Sequence, residues 1–600
     1  MGPVITNLGQ EHWHLARGQQ KPDWVIGCNL IGQRVSETQL ERTVQSRSSR
    51  TFLAVQKTTI REKPSTEIKT VLPPLAWLYG PVSAKMTDQH GTGPDPVMAI
   101  AAAVIFVVLL YLVCLNQLFL STPDEVRKAA SHTRWTDNVL RETYARLEAH
   151  PVTTKSYAAR IPPKLERRYI VTGGSGLVGG FIVLQLLERG QPPESIRIVD
   201  FRAPDRADMT RGAAATARVG FVQTDISSAE ATARAFEKPW HPSVANLPLT
   251  VFHTAAVIVP SDRSSWSAAT ALCEAVNVRG TRNVVEAARR AGADVLVSTT
   301  SASISIRPVE LWVPPWRLLW SWSSSHALPR GYWQVQDERD FFEPLRDRAS
   351  FYANYPASKA EAERTVCAAN SATLRTGCIR PANGVYGNPT DNTVGGTLAW
   401  RLFPTWTSHI VQNFVHGINV AIAHLDFEAI LAAAGSESSP QAGRPFVVTD
   451  PNPPIRYGDL YRLLRTLSAT RFCVLPLPPV LLMLVSYPIE WYALALARWP
   501  VLRRVLSPLP GLVKHLQPGI FSICTHLIAS DDAARRPVSQ GGLGYTGVLT
   551  TLEGMVQEVV EWNREHRDAK EGRPKSYKTS VSLADDIARA AALVESVTSG

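Results

Sequence analysis

No CxxC pair occurs in this chain, whose seven cysteines stand apart at Cys28, Cys114, Cys273, Cys367, Cys378, Cys473 and Cys524. That excludes the common zinc spacings, offers no disulfide framework and points to reduced, cytosol-facing chemistry. A stripe of basic residues is missing too. The formal charge is +11, yet the lysines and arginines behind it are scattered, so the surplus fits anionic lipid and cofactor phosphates and argues against nucleic acid. Charge itself is scarce, at 19% of residues against 45% hydrophobic, which suits a folded chain with membrane-facing surface. With 600 residues there is room for two or three folded units.

Residues 1–95 lack any sustained helical or strand period and are rich in Gln, Ser, Thr and Pro, so they read as a disordered leader. Met86 offers a second start. Charge is absent from Val97 to Leu120. About 20 apolar residues cross a bilayer as a helix, and a buried globular helix seldom stays apolar on every face. Residues 96–120 are therefore expected to be one transmembrane helix, too long and too far along the chain for a cleaved signal peptide. Arg127, Lys128 and Arg134 follow it, which puts the downstream chain on the cytosolic side.

After a helical linker at 121–164, strand-like and helical runs alternate through 165–390. The strands are Tyr169–Thr172, Ile196–Asp200, Val219–Thr224, Leu249–His253, Val295–Thr299 and Thr373–Ile379; the helices are Leu177–Glu188, Cys273–Ala291 and Tyr355–Ala369. Such alternation predicts an α/β fold, a Rossmann-type doubly wound parallel sheet. A smaller mixed domain at 391–566 is expected to hold substrate. Within it Val480–Ala497 is apolar but interrupted by Pro488 and Glu490, so it reads as a helix lying on the membrane or lining an apolar pocket. Residues 567–600 read as a solvated tail.

The run Thr172-Gly173-Gly174-Ser175-Gly176-Leu177-Val178-Gly179 joins a strand to a helix. Gly173 permits the tight turn, Gly176 lets backbone amides approach a pyrophosphate, and Gly179 lets helix and strand pack closely. The amides of Leu177 and Val178 open that helix. Asp200 ends the second strand, where a carboxylate holds ribose hydroxyls and repels a 2′-phosphate. NAD is therefore favoured, and Arg202 nearby leaves NADP open. Asp225 and Ile226 fall where such folds meet the adenine, and Ala255 where small residues let a cofactor lie against backbone. His253 reads as a strand-end residue with a satisfied side chain.

Tyr355 and Lys359, in Tyr355-Pro-Ala-Ser-Lys359, lie one helical turn apart and stack on one face. A tyrosine near pKa 10 is a poor base at neutral pH, and a fixed ammonium with a cationic nicotinamide ring is expected to lower it by about 2–3 units. The fifth strand runs into Ser298-Thr299-Thr300-Ser301-Ala302-Ser303, whose hydroxyls can orient a substrate oxygen. Ser301 is the choice, with Thr300 and Ser303 as alternatives.

Together with Arg380-Pro381-Ala-Asn-Gly-Val-Tyr386-Gly387, Asn277-Val-Arg-Gly-Thr-Arg-Asn283, Val415–His424, Phe446–Asp450 and Leu543-Gly-Tyr545, these motifs resemble the extended short-chain dehydrogenase/reductases. The resemblance is to the branch of 3β-hydroxysteroid and sterol-4α-carboxylate 3-dehydrogenases, over about residues 165–565. It implies Tyr355 as acid/base, Lys359 as its partner, Ser301 as the orienting hydroxyl, and Arg380-Pro381 near the nicotinamide, without a metal. It also implies a lipophilic secondary alcohol as substrate, with decarboxylation if a carboxylate lies β to the new ketone, and the endoplasmic reticulum as membrane. Two features depart from the family pattern. His416-Gly417 replaces a Tyr-Val-Glu type of sequence, and Ile306–Ser350 is enlarged, with Trp312, Trp316, Trp320, Trp322 and Trp333. Rival readings are a ketoreductase of a secondary-metabolite pathway, a sugar-nucleotide epimerase or reductase, and a non-catalytic NAD-binding scaffold. The oligomeric state stays open.

Overall fold

The computed structural model describes residues 96–210, 216–265, 268–320, 328–567, 577–582, 584 and 586. The leader at 1–95 lies outside the described residues, as does Trp322. A seven-stranded parallel sheet is the frame. Its strands are β1 (Arg168–Thr172), β2 (Ile196–Asp200), β3 (Gly220–Gln223), β4 (Leu249–His253), β5 (Ala293–Thr299), β6 (Arg375–Pro381) and β7 (Pro445–Val448). Their spatial order is β7-β6-β5-β4-β1-β2-β3. The chain therefore reverses direction across the sheet between β1 and β4, and ligands of such folds bind at the carboxyl ends flanking that switch point. Strands β1, β2 and β4 are buried on both faces along nearly their whole length, which is why Tyr169–Val171, Ile198–Val199 and Val251–Phe252 read as consecutive apolar residues rather than alternating ones.

Seven helices matter for the site: α1 (Pro96–Phe119), α2 (Leu177–Glu188), α3 (Gly280–Arg290), α4 (Asn354–Ala368), α5 (Gly417–Leu431), α6 (Pro479–Arg498) and α7 (Thr551–His566). On one sheet face α2 packs against α5, where the ring of Phe181 occupies the space a side chain at position 417 would need. On the other, α3 turns Val284, Val285, Ala287 and Ala288 toward the sheet. A π-helical turn, Glu274–Arg279, leads into α3. A second, four-stranded sheet gathers Trp333–Gln336, Val411–Gln412, Ile455–Arg456 and His526–Ala529.

The expected span and the expected surface helix pack on one another. In α1, eleven large apolar side chains from Val97 to Val113 are exposed, whereas Leu115 and Phe119 are buried with Val480 and Met483 of α6 and with Val309, Leu311 and Val313. Tyr111 donates a hydrogen bond to the Val313 carbonyl at 2.9 Å and stacks on Trp312, which in turn stacks on Tyr487. Pro488 and Glu490 do not interrupt α6. Pro488 sits on its exposed face, where its lost N–H is cheapest, and Glu490 is buried in a bidentate pair with Arg263, at 2.5 and 2.8 Å. The solvated-tail reading of 567–600 also fails in part, because Ala584 is only 2% exposed, packed among Val257, Val259 and Cys273.

Candidate active site

Between β1 and α2 the chain makes a turn that tolerates no side chain. Gly173 has φ 72°, and a Cβ there would lie 2.6 Å from the Ala255 amide nitrogen. A Cβ on Gly179 would strike the Gly173 carbonyl and lie 2.6 Å from Thr254 Oγ1. Gly176 caps α2, so the amides of Leu177 and Val178 fall in its first turn and have no intrahelical acceptor. This cradle, roofed by the small residue Ala255, fits a pyrophosphate.

Asp200 stands beside it. Its carboxylate accepts hydrogen bonds from the Ser175 amide at 3.1 Å and the Arg202 amide at 3.3 Å. Burial pushes its pKa up, against the pull of those amides. The Arg202 guanidinium turns instead to Asp205, at 3.0 Å. Asp225 caps the next turn through the Ser227 amide, and Ile226 is buried against Gly280. His253 bridges Thr172 and Thr281 at 2.7 and 2.9 Å, and burial lowers its pKa to about 3. It is neutral and satisfied, as the sequence suggested.

The carboxyl ends of β5 and β6 run side by side, with Thr299 paired to Ile379. Ser301 leaves β5 there and its hydroxyl faces Tyr355, on the first turn of α4, closely enough to draw the phenol pKa down. Ser303 lies 2.8 Å from Ser301 Oγ and supports it. Thr300 points away, donating to Glu363 at 2.8 Å. Of the three hydroxyls, Ser301 meets Tyr355. Lys359 donates to the Thr299 carbonyl at 2.7 Å, and burial lowers its pKa to about 8. Tyr355 departs from expectation: burial pushes its pKa up to about 12, with the Ser301 hydroxyl opposing. The protein alone does not activate this phenol. The cationic nicotinamide ring counted on for part of the lowering is not a protein group, and the Lys359 ammonium is turned to the Thr299 carbonyl.

Arg380 is engaged by protein partners. Its guanidinium donates to Glu363 and to Asp340, at 2.5 and 2.7 Å, and to the Asp337 carbonyl at 2.8 Å. It braces α4 from beneath, and the neighbouring Pro381 ends the strand. His416, where the sequence departs from the family pattern, is a structural residue. Buried beside Phe181 and Tyr386, it caps α5, accepting a hydrogen bond from the Ile418 amide at 3.1 Å.

Two positioning residues escaped the sequence reading. Asn277, in the π-helical turn, holds Val257 through both backbone groups, at 2.9 and 3.1 Å, and donates to Ser358 at 2.9 Å. Ser358 in turn donates to the Tyr355 carbonyl at 2.8 Å. Asn354 ties the start of α4 to the segment after β4: its amide donates to the Asp262 carbonyl at 2.8 Å and its side chain to the Ser264 carbonyl at 2.9 Å. Asn277 opened one of the motifs quoted from the sequence, but no role was read for it there; its partners Val257 and Ser358 supply one.

The profile of the 3-beta hydroxysteroid dehydrogenase/isomerase family matches residues 170–308 and 336–477, leaving out the tryptophan-rich stretch between them and everything from α6 onward. A 3beta-hydroxysteroid-dehydrogenase/decarboxylase isoform 2 of Arabidopsis thaliana is 25% identical over 70% of this chain and 66% of its own length. A 3 beta-hydroxysteroid dehydrogenase/Delta 5-->4-isomerase of Mycobacterium tuberculosis is 30% identical over 43% of this chain and 60% of its own. Among solved structures, a Thermus thermophilus UDP-glucose 4-epimerase complex with NAD is 19% identical, with a TM-score of 0.40 over 67% of this chain and 100% of that one.

Proposed function

Because the chain belongs to the 3-beta hydroxysteroid dehydrogenase/isomerase family, we propose that it oxidises a secondary alcohol, the 3β-hydroxyl of a sterol-like substrate, with NAD. The observation that carries this reading is the gathering of Ser301, Tyr355 and Lys359, the last two one turn apart on α4, at the sheet edge that holds the glycine turn.

The cradle of Gly173, Gly176, Leu177, Val178 and Gly179 would hold the pyrophosphate, and Asp200 the adenosine ribose. Asp225 and Ile226 would flank the adenine, Ala255 would lie against the cofactor, and Lys359 would take the second ribose. Bound there, NAD supplies the acceptor for the carbinol hydride. Ser301 donates to the substrate oxygen and aims it at Tyr355. The Tyr355 phenolate takes the hydroxyl proton, and the ammonium of Lys359 stabilises the charge that phenolate carries. A carboxylate β to the new ketone would leave as carbon dioxide through an enolate.

The apolar helices support a membrane setting, with α1 as the single span and the catalytic part cytosolic, at the endoplasmic reticulum. The exposed stretch Val97–Val113 covers about 26 Å at 1.5 Å per residue, a little short of the ~30 Å hydrocarbon core. The docked end of α1 therefore has to sit at the headgroups, which brings Trp312, Trp316 and Trp491, all exposed, to the interface.

Detergent-solubilised protein, given NAD and a panel of 3-hydroxysterols and their 4-carboxylates, should form NADH with at least one. No NADH with any of them rejects the reading. Protein beginning at Ser121 should be released from membranes by carbonate while the full chain is not; retention of the shortened form would make α6 the anchor.

A further inference from the structure

Tyr577 rests on Trp562 and His566 of α7, with ring centroids 5.8 and 6.4 Å apart, and its hydroxyl is on Glu565. Three residues on, Ser580 accepts a hydrogen bond from the Asn392 side chain at 2.7 Å, and the Thr579 methyl lies beside Gly396. Four residues further, Ala584 is 2% exposed among Val257, Val259 and Cys273. An ion pair between Lys578 and Asp586 at 3.0 Å closes the segment on itself.

The two anchorages stand on separate loops, here called lips. Asn392 and Gly396 follow β6, and Val257 and Val259 follow β4, so both loops leave the carboxyl edge of the sheet. The second lip is tied to the chemistry: Asp262 takes the amide of Asn354, the neighbour of Tyr355, and Cys273 lies beside Ser358, between Tyr355 and Lys359. Four residues of chain reach at most about 14 Å, so the lips stand close. The contacts given above for 577–582, Ala584 and Asp586 are to these loops, to α7 and within the segment.

We propose that residues 577–586 are a strap across the substrate mouth, competing with the alcohol and not with NAD. The inference rests on the dehydrogenase reading above. The strap is held by Ala584 among its apolar neighbours, by the Asn392–Ser580 hydrogen bond and by Tyr577 on α7, which is enough to raise an apparent KM and too little to lock the site.

Full-length protein in detergent, wild type and Ala584→Asp, decides it, with a 3-hydroxysterol from the panel as probe. The substitution puts a charge among Val257, Val259 and Cys273 and should free the strap. KM for the sterol is then expected to fall about 5–30-fold, the effect of a 1–2 kcal/mol contact, with kcat and the Kd for NAD unchanged. Amide exchange at 577–582 in the wild type should quicken with sterol and not with NAD alone. An equal or higher KM in the variant overturns the strap. Should A584D not fold, wild-type exchange that ignores or slows with sterol overturns it as well. If no sterol gives NADH, the dehydrogenase reading is what has failed. The strap is then decided by Cys273, which N-ethylmaleimide must alkylate faster in A584D; equal rates overturn it.

Discussion

The nucleotide half of the crevice and its substrate half are built on different physics. Around the glycine turn, Asp200 and His253, positions are set by backbone hydrogen bonds and by side chains with no spare partner. Around α6, Trp312 and Trp316, positions are set by apolar packing, and much apolar surface is left uncovered. The first half lies inside the family match and α6 lies beyond it. A site that must present amides to a phosphate has few solutions, whereas an uncovered apolar surface has many. Chemistry in this fold is therefore fixed on one side and free to vary on the other.

The largest expected effect falls where the halves meet. Tyr355→Phe removes the proton acceptor and should cost about 10²–10⁴-fold in kcat, with the Kd for NAD unchanged. Retention of a tenth of the rate would remove Tyr355 from the mechanism. The pH profile sharpens the same point. With Tyr355 pushed up to about 12 and Lys359 down to about 8, the productive phenolate–ammonium pair grows about tenfold per pH unit below 8. Above that it levels, because each gain in phenolate is matched by a loss of ammonium. A rate flat from pH 6 to 8 would mean that cofactor binding alone sets the tyrosine.

Next in size is a test of the brace under α4. Arg380→Ala leaves Glu363 buried without its cation, which costs about 3–5 kcal/mol. Thermal unfolding should show that loss, with KM for NAD little changed in the protein that remains folded. The reverse pattern would return Arg380 to the nicotinamide. The substrate half is probed by Trp316→Ser with Trp491→Ser in protein beginning at Ser121. Two aromatic side chains lost from a lipid interface amount to about 2 kcal/mol, roughly thirtyfold in vesicle affinity. Unchanged affinity would mean that this shoulder faces protein.

Most of the frame could be read from the chain, because its strands are short, mainly apolar runs and its turns need glycine. The grouping of Tyr355, Lys359 and Ser301 was legible because helical spacing and a strand end bring them together. The site was not legible where role depends on what lies across the fold. Arg380 follows a strand end in sequence, but Glu363 and Asp340 decide where it points. Asn277 gains meaning only through Ser358, 81 positions away. Pro488 and Glu490 looked like breaks until Arg263 supplied the buried carboxylate with a partner. Ala584 sits in a stretch whose composition says solvent, and tertiary contact overrides it.

The smallest effect expected lies in the nucleotide half, at Asp200. Its carboxylate is already held by the Ser175 and Arg202 amides, so removing it both frees those donors and removes repulsion at the ribose 2′ position. Asp200→Ala should lower the preference for NAD over NADP by about tenfold, the 1.4 kcal/mol expected of one charge-assisted hydrogen bond. The shift should be modest because Arg202 is engaged by Asp205 at 3.0 Å and must leave that partner before it can meet a 2′-phosphate. Asp205→Ala should then add to the shift, since it releases the guanidinium. Steady-state kcat/KM with each cofactor, in wild type and both variants, separates the terms. A wild type that already prefers NADP would show that Arg202 leaves Asp205 readily, and that this strand end reads the 2′-phosphate through its arginine.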